Sequence, residues 1–307
     1  MNCLVTGGAG FIGSNIVKKL LKKGAKVSVL DDLSVGKAEN IDNAAEFING
    51  NINDLTLLNK ISFQYDAIFH LAAFTSVPES FKNENKCRLV NEKGVENIID
   101  YSVKNNVKKI IFSSTSAVYS DHDSRSLNEK SLTSPSSPYG SSKLKGEHLL
   151  NRWTLDNKDR SGIVLRYFNV FGPGQEAESD YASVIPKFLY RIINKSPIII
   201  YGDGTQTRDY IYIDDIVSAN IKSLNFNNFN TFVVGTGKDI SINSLVDKIK
   251  NIINKEVKID YAPLPDGDAL KSLSDSSKLI HEGWEQKVNI DSGLIKTWEF
   301  FLREDSK

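Results

Sequence analysis

A tyrosine and a lysine four residues apart are the side chains in this sequence best suited to proton transfer. Tyr139 precedes Lys143, and a spacing of four places both side chains on one face of a helix. A free phenol has a pKa of about 10, so a tyrosine that acts as a base near neutral pH needs a pKa about three units lower. Nearby positive charges favour the phenolate and can supply that shift. Taken alone, the pair also suits an ordinary surface helix.

A glycine-rich turn near the start of the chain has the composition of a phosphate-binding loop. An apolar run at residues 3–6 precedes the turn, and apolar residues at helical spacing follow it, so we expect a strand, a tight turn and a helix. Glycine lets the backbone approach a pyrophosphate, which the N-terminus of the helix then holds. The glycines of this motif are Gly7, Gly10 and Gly13.

An acidic residue follows the second predicted strand, at residues 26–30. Asp31 lies about twenty residues past the turn, where a carboxylate can accept hydrogen bonds from the hydroxyls of an adenosine ribose. The same carboxylate repels a 2′-phosphate. Together, the glycines and Asp31 indicate a dinucleotide site whose cofactor is NAD rather than NADP.

The elements that must position these residues alternate between strand and helix. The alternation predicts an α/β fold, a Rossmann-type doubly wound parallel sheet followed by a smaller, irregular C-terminal α/β substrate lobe. We expect the NAD-binding domain to span 1–168 with a later return at roughly 213–236, and the lobe to span 169–212 and 237–307. Further strands are expected at 45–48, 67–71, 109–113 and 163–167, helices from Leu55, over 90–103 and from near Tyr139, and a surface loop at 120–137.

Composition and charge argue against several classes of function. The 307 residues include 38 basic and 38 acidic side chains, so nothing in the charge favours binding to nucleic acid or to an anionic membrane. We see no targeting pattern at the N-terminus and no apolar run of membrane-spanning length. Cys3 and Cys87 suit free thiols in a reducing compartment, which predicts a cytoplasmic protein. The histidines have no ligand spacing, so no metal site is expected.

Seven motifs, in this order along the chain, resemble those of the extended short-chain dehydrogenase/reductase superfamily, specifically its sugar-nucleotide epimerases and dehydratases. The resemblance runs over nearly the whole chain. The motifs lie at residues 6–13, 31–34, 70–73, 113–119, 139–143, 166–173 and 202–209.

The resemblance implies roles for individual residues. Tyr139 is expected to be the catalytic base, Thr115 to hydrogen-bond the sugar O4, and Lys143 to bind the nicotinamide ribose. Asn169 and Arg208 are expected to contact the diphosphate of a UDP-sugar, since a guanidinium matches two phosphate oxygens. The implied NAD contacts are Gly7, Gly10, Phe11, Ile12, Gly13, Asp31, Asp32, Asn51, Ile52, Leu71, Ala72, Ala73, Asn91, Ser113, Tyr139, Lys143, Tyr167 and Phe168. The other implied substrate contacts are Ser76, Ser116, Val184, Ile185, Asp268 and Ser272.

The residue two positions after Thr115 bears on the reaction. Dehydratases of this group have Thr-Asp-Glu there, and several decarboxylases have Thr-Ser-Glu, whereas this chain has Ala117 in place of the glutamate. Without that group, the least demanding chemistry is reversible hydride transfer through a 4-keto intermediate with tightly bound NAD. This favours a 4-epimerase of a UDP-hexose or a UDP-N-acetylhexosamine. The alternatives are a UDP-glucuronate 4-epimerase or decarboxylase, a reductase, and a non-catalytic NAD-binding protein.

Three further positions bear on the substrate. Ser272 aligns with a position where a tyrosine excludes an N-acetyl group in related epimerases, so a serine leaves room for UDP-N-acetylglucosamine alongside UDP-glucose. Asn51 replaces an aspartate that reaches the adenine, although its amide oxygen can still accept that hydrogen bond. Pro265 replaces an arginine that pairs with the diphosphate, so weaker binding or a different substrate is expected. The family resemblance also implies a homodimer through helices near 89–103 and 139–153.

Overall fold

The computed structural model describes residues 1–119, 126–178, 182–254, 256–264 and 270–305. The chain forms two compact units, and the segment that returns to the first is shorter than the predicted 213–236. Unit 1 comprises Met1–Ser120, Leu132–Tyr167 and Val217–Phe232, and unit 2 comprises Asp121–Ser131, Phe168–Ile216 and Val233–Lys307.

Strands and helices alternate from the start of the chain. The strands are β1 (Asn2–Thr6), β2 (Lys26–Asp31), β3 (Glu46–Asn49), β4 (Ala67–His70), β5 (Lys109–Thr115), β6 (Ser161–Tyr167), β7 (Asn169–Phe171), β8 (Ile198–Tyr201), β9 (Thr207–Tyr212), β10 (Phe229–Val234), β11 (Asp239–Ser241), β12 (Ile259–Ala262) and β13 (Lys271–Ser272). The helices are α1 (Phe11–Lys22), α2 (Leu55–Lys60), α3 (Val77–Lys82), α4 (Glu84–Arg88), α5 (Gly94–Lys104), α6 (Pro138–Leu155), α7 (Val184–Ile193), α8 (Ile213–Lys222), α9 (Ile242–Ile253), α10 (Ser277–His281) and α11 (Ile290–Asp305).

The largest sheet confirms the predicted doubly wound topology. Within the described residues its strand order is β3-β2-β1-β4-β5-β6-β10. The pairs β1–β2, β1–β4, β2–β3, β4–β5 and β5–β6 are parallel. The chain order reverses at β1, whose neighbours are β2 and β4. The carboxyl ends of β1 and β4 therefore form the switch point at which sheets of this kind bind ligands.

The central strands are continuous apolar runs because helices cover both faces of the sheet. β4 and β6 are buried along their whole length. Ile68, Phe112, Leu150 and Trp153 belong to one buried apolar cluster that includes side chains of β4, β5 and α6. Full burial of such a side chain contributes about 1.5–3 kcal/mol, so this cluster holds α6 against the sheet.

Unit 2 is organised around β9. This strand pairs in parallel with β7 and β13 and antiparallel with β11, and β8 pairs in parallel with β12. Helix α11 packs against α7, α9 and β9. The register places Asn169 opposite Tyr210 and Ser272 opposite Arg208. Unit 2 therefore collects several of the predicted substrate residues on adjacent strands.

The helix predicted over 90–103 is divided in the structure. A π-helical turn covers Leu89–Lys93, between α4 and α5. A π-helical turn takes up one more residue than an α-helical turn, and such turns are frequent at functional sites. Here the wider turn contains Asn91, one of the predicted NAD contacts.

Three general features of the structure bear on the classes considered above. No helix among the described residues is both long enough and apolar enough to serve as a membrane span. In the same part of the chain, no group of three or more His, Cys, Asp or Glu side chains is placed to hold a metal ion. Cys3 and Cys87 are both buried as free thiols.

Candidate active site

The glycine-rich turn links the carboxyl end of β1 to the first turn of α1. Gly7 has a φ of +71°, and a Cβ there would lie 2.6 Å from the backbone nitrogen of Ala72, in the segment after β4. A side chain would therefore be strained and would push the two segments apart. The turn is held by a hydrogen bond from the Gly10 nitrogen to the Gly7 carbonyl, 3.2 Å long.

The N-terminus of α1 suits a bound pyrophosphate. Gly10 is its N-cap, and among the described residues no side chain caps this end and no acidic residue lies in its first turn, where Phe11 and Ile12 lie. The first N–H groups of a helix lack intrahelical partners and carry partial positive charge, so they can donate to phosphate oxygens. The residues present at the switch point therefore fit NAD.

Two adjacent acids end β2, and each already accepts hydrogen bonds. The Asp31 carboxylate accepts from the backbone nitrogens of Ala9 and Leu33, each at 2.9 Å. It thereby ties the glycine-rich turn to the end of β2. Asp32 accepts from the Asn51 amide at 2.6 Å. Since each carboxylate oxygen has two lone pairs, both acids keep acceptor capacity for a ribose. Their contacts to NAD stay predictions.

Helix α6 carries the predicted base, and its position is set by close contacts. The Ser137 hydroxyl caps the helix by accepting from the Gly140 nitrogen at 3.1 Å. A Cβ on Gly146 would lie 2.7 Å from Cζ of Phe112 in β5, and a Cβ on Gly140 would clash with the Ala117 carbonyl. Glycine at these two positions lets α6 approach β5 and the turn that follows it.

This approach places the Tyr139 phenol beside Thr115. Although part of the Tyr139 side chain reaches solvent, burial of the phenol raises its pKa to about 12, and the hydrogen bond with Thr115 acts in the opposite direction. We expected Lys143 to lower this pKa, but burial outweighs any such effect in the protein alone. The phenolate therefore needs a further positive charge beside it.

Lys143 is buried on the same face of α6. Its ammonium nitrogen lies 4.3 Å from the centre of the Phe112 ring. Burial lowers the pKa of Lys143 to about 7, and the charge of Glu147 acts against that shift. His70, at the end of β4, stacks on the same Phe112 ring, and the two ring centres lie 5.7 Å apart. Burial and the Lys143 charge lower the pKa of His70 to about 3, so this histidine is neutral.

Several predicted NAD contacts are bonded within the protein. Ser113 Oγ lies 3.1 Å from the Tyr167 hydroxyl, which donates to Asn220. The Asn91 amide donates to Ser142 Oγ at 2.9 Å and to the Phe74 carbonyl at 3.0 Å. Asn91 is 2% exposed, so in this structure it joins the segment after β4 to α6.

Other predicted contacts differ in how accessible they are. Ile52 is 4% exposed and belongs to the apolar core of unit 1, a burial that the sequence did not indicate. Phe168, in unit 2, is 3% exposed. Leu71, Ala72 and Ala73 follow β4 and are partly exposed.

The predicted substrate residues of unit 1 lie at starts of helices. Ser76 is the N-cap of α3, and its hydroxyl accepts from the Glu79 nitrogen at 3.1 Å. Ser116 begins a short 3₁₀ turn, Ser116–Val118, in which the Thr115 hydroxyl accepts from the Ala117 nitrogen at 3.1 Å. Thr115 is therefore held in place by this turn.

In unit 2, a buried carboxylate supports the predicted substrate residues. Asp209 is fully buried beside Arg208, and its carboxylate accepts from Ser274 Oγ at 2.5 Å and from Thr236 Oγ1 at 2.6 Å. The Asn169 amide donates to the backbone carbonyl of Asp209 at 3.0 Å. Asn169 and Arg208 are thus connected through the backbone of β9.

The remaining predicted substrate residues are placed as follows. Val184 and Ile185 form the first turn of α7, where Ile185 is buried. Ser272 is partly buried in β13. Asp268 and Pro265 lie outside the described residues, so their predicted roles stay predictions.

Sequence reasoning missed several buried polar side chains in each unit. In unit 1 these are His70, Ser114, Glu147 and Arg166, and in unit 2 the residue is Asp209. The sequence could have indicated Glu147, because it follows Lys143 by four residues and Tyr139 by eight. This spacing places Glu147 on the same face of the helix. The pairing of Glu147 with Arg166 in β6 depends on tertiary packing and had no signal in the spacing.

Comparisons with known proteins agree with the doubly wound fold. The model of the NAD-dependent epimerase/dehydratase family matches residues 3–235. A putative UDP-glucose 4-epimerase from Methanocaldococcus jannaschii is 37% identical over 296 residues, which cover 95% of each chain. The crystal structure of a UDP-glucose 4-epimerase from Thermotoga maritima with UDP-glucose is 37% identical, with a TM-score of 0.96 over 99% of each chain. A UDP-N-acetylglucosamine 4-epimerase from Methanobrevibacter ruminantium, in complex with UDP-N-acetylmuramic acid, is 36% identical, with a TM-score of 0.93 over 99% of this chain and 98% of that chain.

Proposed function

Because this chain belongs to the NAD-dependent epimerase/dehydratase family and has NAD as its cofactor, we propose that it is a UDP-sugar 4-epimerase acting on UDP-hexoses and UDP-N-acetylhexosamines. The observation that carries the proposal is the placement of Tyr139 beside Thr115, with Lys143 one turn further along the same helix. Inversion at one carbon by hydride removal and return needs a base, a hydroxyl partner and a charge that favours the phenolate, and these three side chains supply them.

Ala117 favours an epimerase over a dehydratase. A dehydratase needs an additional acid and base near the sugar, and the residue in the corresponding place here is an alanine whose nitrogen donates to Thr115. Only a methyl group is available at this position. The chemistry that remains is transfer of a proton and a hydride at one carbon.

The roles of the chain's own residues follow from their chemistry. When bound, NAD supplies a reversible hydride acceptor. Tyr139 takes the proton from the sugar O4 hydroxyl and later returns it to the same oxygen. Thr115 orients that oxygen by hydrogen bonding, and Lys143 favours the phenolate of Tyr139. The 4-keto sugar turns over before reduction, which inverts C4.

Residues of unit 2 hold the remainder of the nucleotide sugar in this proposal. Arg208 and Asn169 contact the diphosphate, since a guanidinium and an amide both donate to phosphate oxygens. Val184, Ile185 and Asp268 are the further candidates. Because Pro265 replaces an arginine of the family pattern, Arg208 carries a larger share of the diphosphate binding here than in relatives with both cations.

Ser272 supports the proposed tolerance of an N-acetyl group. It is partly buried and lies opposite Arg208 in the pairing of β13 with β9. A serine at this position is far smaller than the tyrosine that excludes N-acetylated sugars in related enzymes. We therefore propose that UDP-N-acetylglucosamine is accepted along with UDP-glucose.

The test is conversion of separate UDP-sugars by the purified protein without added cofactor. Samples contain UDP-glucose, UDP-N-acetylglucosamine or UDP-glucuronate, and the anomeric protons are followed by NMR. We expect galacto-configured product from the first two and none from the third. A Ser272→Tyr variant should lose the reaction with UDP-N-acetylglucosamine and keep that with UDP-glucose, while Ser272→Ala should keep both. If no sugar is converted by protein that contains NAD, the proposal is wrong.

A homodimer forms part of the proposal. Leu89, Val103 and Leu155 are 52%, 50% and 73% exposed, and they lie on or beside the helices for which the dimer was predicted. Exposed apolar side chains grouped on neighbouring helices are typical of protein–protein interfaces. Light scattering during size exclusion should give twice the mass of the chain, and Leu89→Glu should reduce it to a single chain.

A further inference from the structure

A buried ion pair lies one helical turn beyond Lys143. The Glu147 carboxylate accepts from Arg166 Nη2 at 2.6 Å and Arg166 Nε at 3.0 Å, and from the Ser114 hydroxyl at 2.5 Å. The Glu147 and Arg166 side chains are only 4% and 7% exposed. The same guanidinium donates to the Tyr119 hydroxyl at 3.0 Å. The carboxylate is therefore held from two strands at once.

Each partner of Glu147 is next to a residue of the site. Ser114 immediately precedes Thr115 in β5, and Arg166 immediately precedes Tyr167 in β6. Glu147 shares the buried face of α6 with Lys143. The carboxylate therefore joins the helix that carries the base to the strand that carries the hydroxyl partner.

We propose that Glu147 is a positioning residue, which fixes α6 on β5 so that Tyr139 stays against Thr115, and which faces Lys143 with a negative charge. The inference rests on the proposed function, because it explains how the same side chains are held. It assigns Arg166 and Ser114 the task of orienting the carboxylate.

The charged and titratable groups around Lys143 give the electrostatic part of this role. Glu147 acts from the same helix, Cys87 from α4 and His70 from β4. Burial raises the pKa of Cys87 and lowers that of His70, so both are neutral near pH 7. Burial lowers the pKa of Lys143 and the Glu147 charge acts against that shift, so loss of this charge lowers the pKa of Lys143 further.

A purely structural ion pair predicts a different behaviour. Replacing a buried pair by apolar residues of similar volume is often neutral or stabilising, whereas removing one partner leaves an uncompensated buried charge. The double variant Glu147→Met with Arg166→Met therefore separates the two roles. If the pair served stability alone, this variant would keep its activity.

The experiment compares NAD-loaded wild type with Glu147→Gln and the double variant. Glu256→Gln, in an ion pair with Lys250 of α9 in which Glu256 is exposed, is the matched control. We expect both Glu147 variants to lose about 100-fold in kcat with little change in KM, since misplacement of reacting groups by about 1 Å has that effect. The control should match wild type. A double variant that folds and keeps wild-type kcat overturns the inference.

Ionisation of Lys143 is a second measurement that needs no turnover. The lysine Nζ signals are followed against pH by ¹⁵N NMR in wild type and in Glu147→Gln, and the signal of Lys143 is identified by its absence from Lys143→Met. Without the Glu147 charge, Lys143 should lose its proton at lower pH than in wild type. An unshifted Lys143 titration overturns the electrostatic part, even if the sugar substrate proves to be different from the one proposed.

If the double variant does not fold, the Ser114→Ala variant tests the positioning role instead. It removes one hydrogen bond to Glu147 and leaves the ion pair intact, so it should fold. We expect about a tenfold loss in kcat with an unchanged KM, in line with the loss of a hydrogen bond to a charged group. Wild-type kcat in this variant overturns the positioning role.

Discussion

Each of the two units buries a carboxylate next to predicted site residues, but the two carboxylates accept hydrogen bonds from different kinds of donor. In unit 1, Glu147 is paired with the Arg166 guanidinium. In unit 2, the groups that donate to Asp209 among the described residues are neutral. They are the backbone nitrogens and hydroxyls of Thr236 and Ser274, and the backbone nitrogen of Gly237. The Glu147 carboxylate pairs with a positive charge, whereas the Asp209 carboxylate holds a loop through neutral donors.

The difference indicates what each unit contributes. An ion pair beside Lys143 influences protonation, so changes in unit 1 should act on kcat. A carboxylate that gathers backbone N–H groups fixes the path of the chain around Arg208 and Ser272, so changes in unit 2 should act on stability and substrate binding. The predictions below test this division.

The largest effect is expected for Tyr139→Phe. Loss of the proton-transferring hydroxyl should lower kcat about 1000-fold with little change in KM, because positioned acid–base groups contribute about 10²–10⁴-fold. Thermal unfolding should be close to that of wild type, since the ring is kept. Turnover within tenfold of wild type would contradict the assignment of the base to unit 1.

Asp209→Asn should destabilise unit 2. In the variant, the amide NH₂ group replaces one carboxylate oxygen and cannot accept a hydrogen bond. At least one of the groups that donate to Asp209 therefore loses its acceptor. The expected loss is about 3 kcal/mol, since each buried unsatisfied donor costs about 1–3 kcal/mol. Urea denaturation measures it. The control is Asp291→Asn, whose ion pair with Lys248 is exposed and should contribute less than about 1 kcal/mol.

Arg208→Lys should raise KM for the UDP-sugar about 30-fold and leave kcat nearly unchanged. A lysine keeps the positive charge but loses the two-point match to phosphate oxygens, and charge-assisted hydrogen bonds of this kind contribute about 1.5–3 kcal/mol. Steady-state kinetics over a range of substrate concentrations gives the two constants. A loss confined to kcat would contradict this prediction and would assign Arg208 to the chemical step instead of substrate binding.

The smallest effect for a single step is a pH dependence of stability in NAD-free protein, measured per pH unit. Burial lowers the pKa of Lys143 from 10.5 to about 7, so between these values only the unfolded chain binds the proton. Stability should therefore rise with pH in this window, by at most about 1.4 kcal/mol per unit. Lys143→Met should remove that rise. Equal slopes in urea denaturation of the two proteins would show that burial does not lower the pKa of Lys143.

The sequence predicted those parts of the fold and site that depend on local pattern. The glycine turn, Asp31 and the alternation of strands and helices were sufficient for the doubly wound sheet. The spacing of Tyr139 and Lys143 indicated a shared helical face. These features are local because turns, caps and helical periodicity involve residues close in sequence.

What could not be predicted depends on packing between distant segments. The burial of Ile52 follows from its close approach to Gly94 at the start of α5. The partners of Glu147 and Asp209 are 19 and 27 or more residues away, and spacing does not reveal them. The raised pKa of Tyr139 likewise follows from burial, which the pattern around it does not show.

The central claim is that the protein inverts C4 by removing and returning a hydride while Tyr139 moves the proton. The most direct test is to incubate the purified protein with UDP-glucose or UDP-N-acetylglucosamine in D₂O, without added NAD, and to follow the sugar protons by NMR. We predict galacto-configured product that keeps hydrogen at C4 and at C5. Deuterium at either carbon, or no product from protein that contains NAD, would contradict the claim.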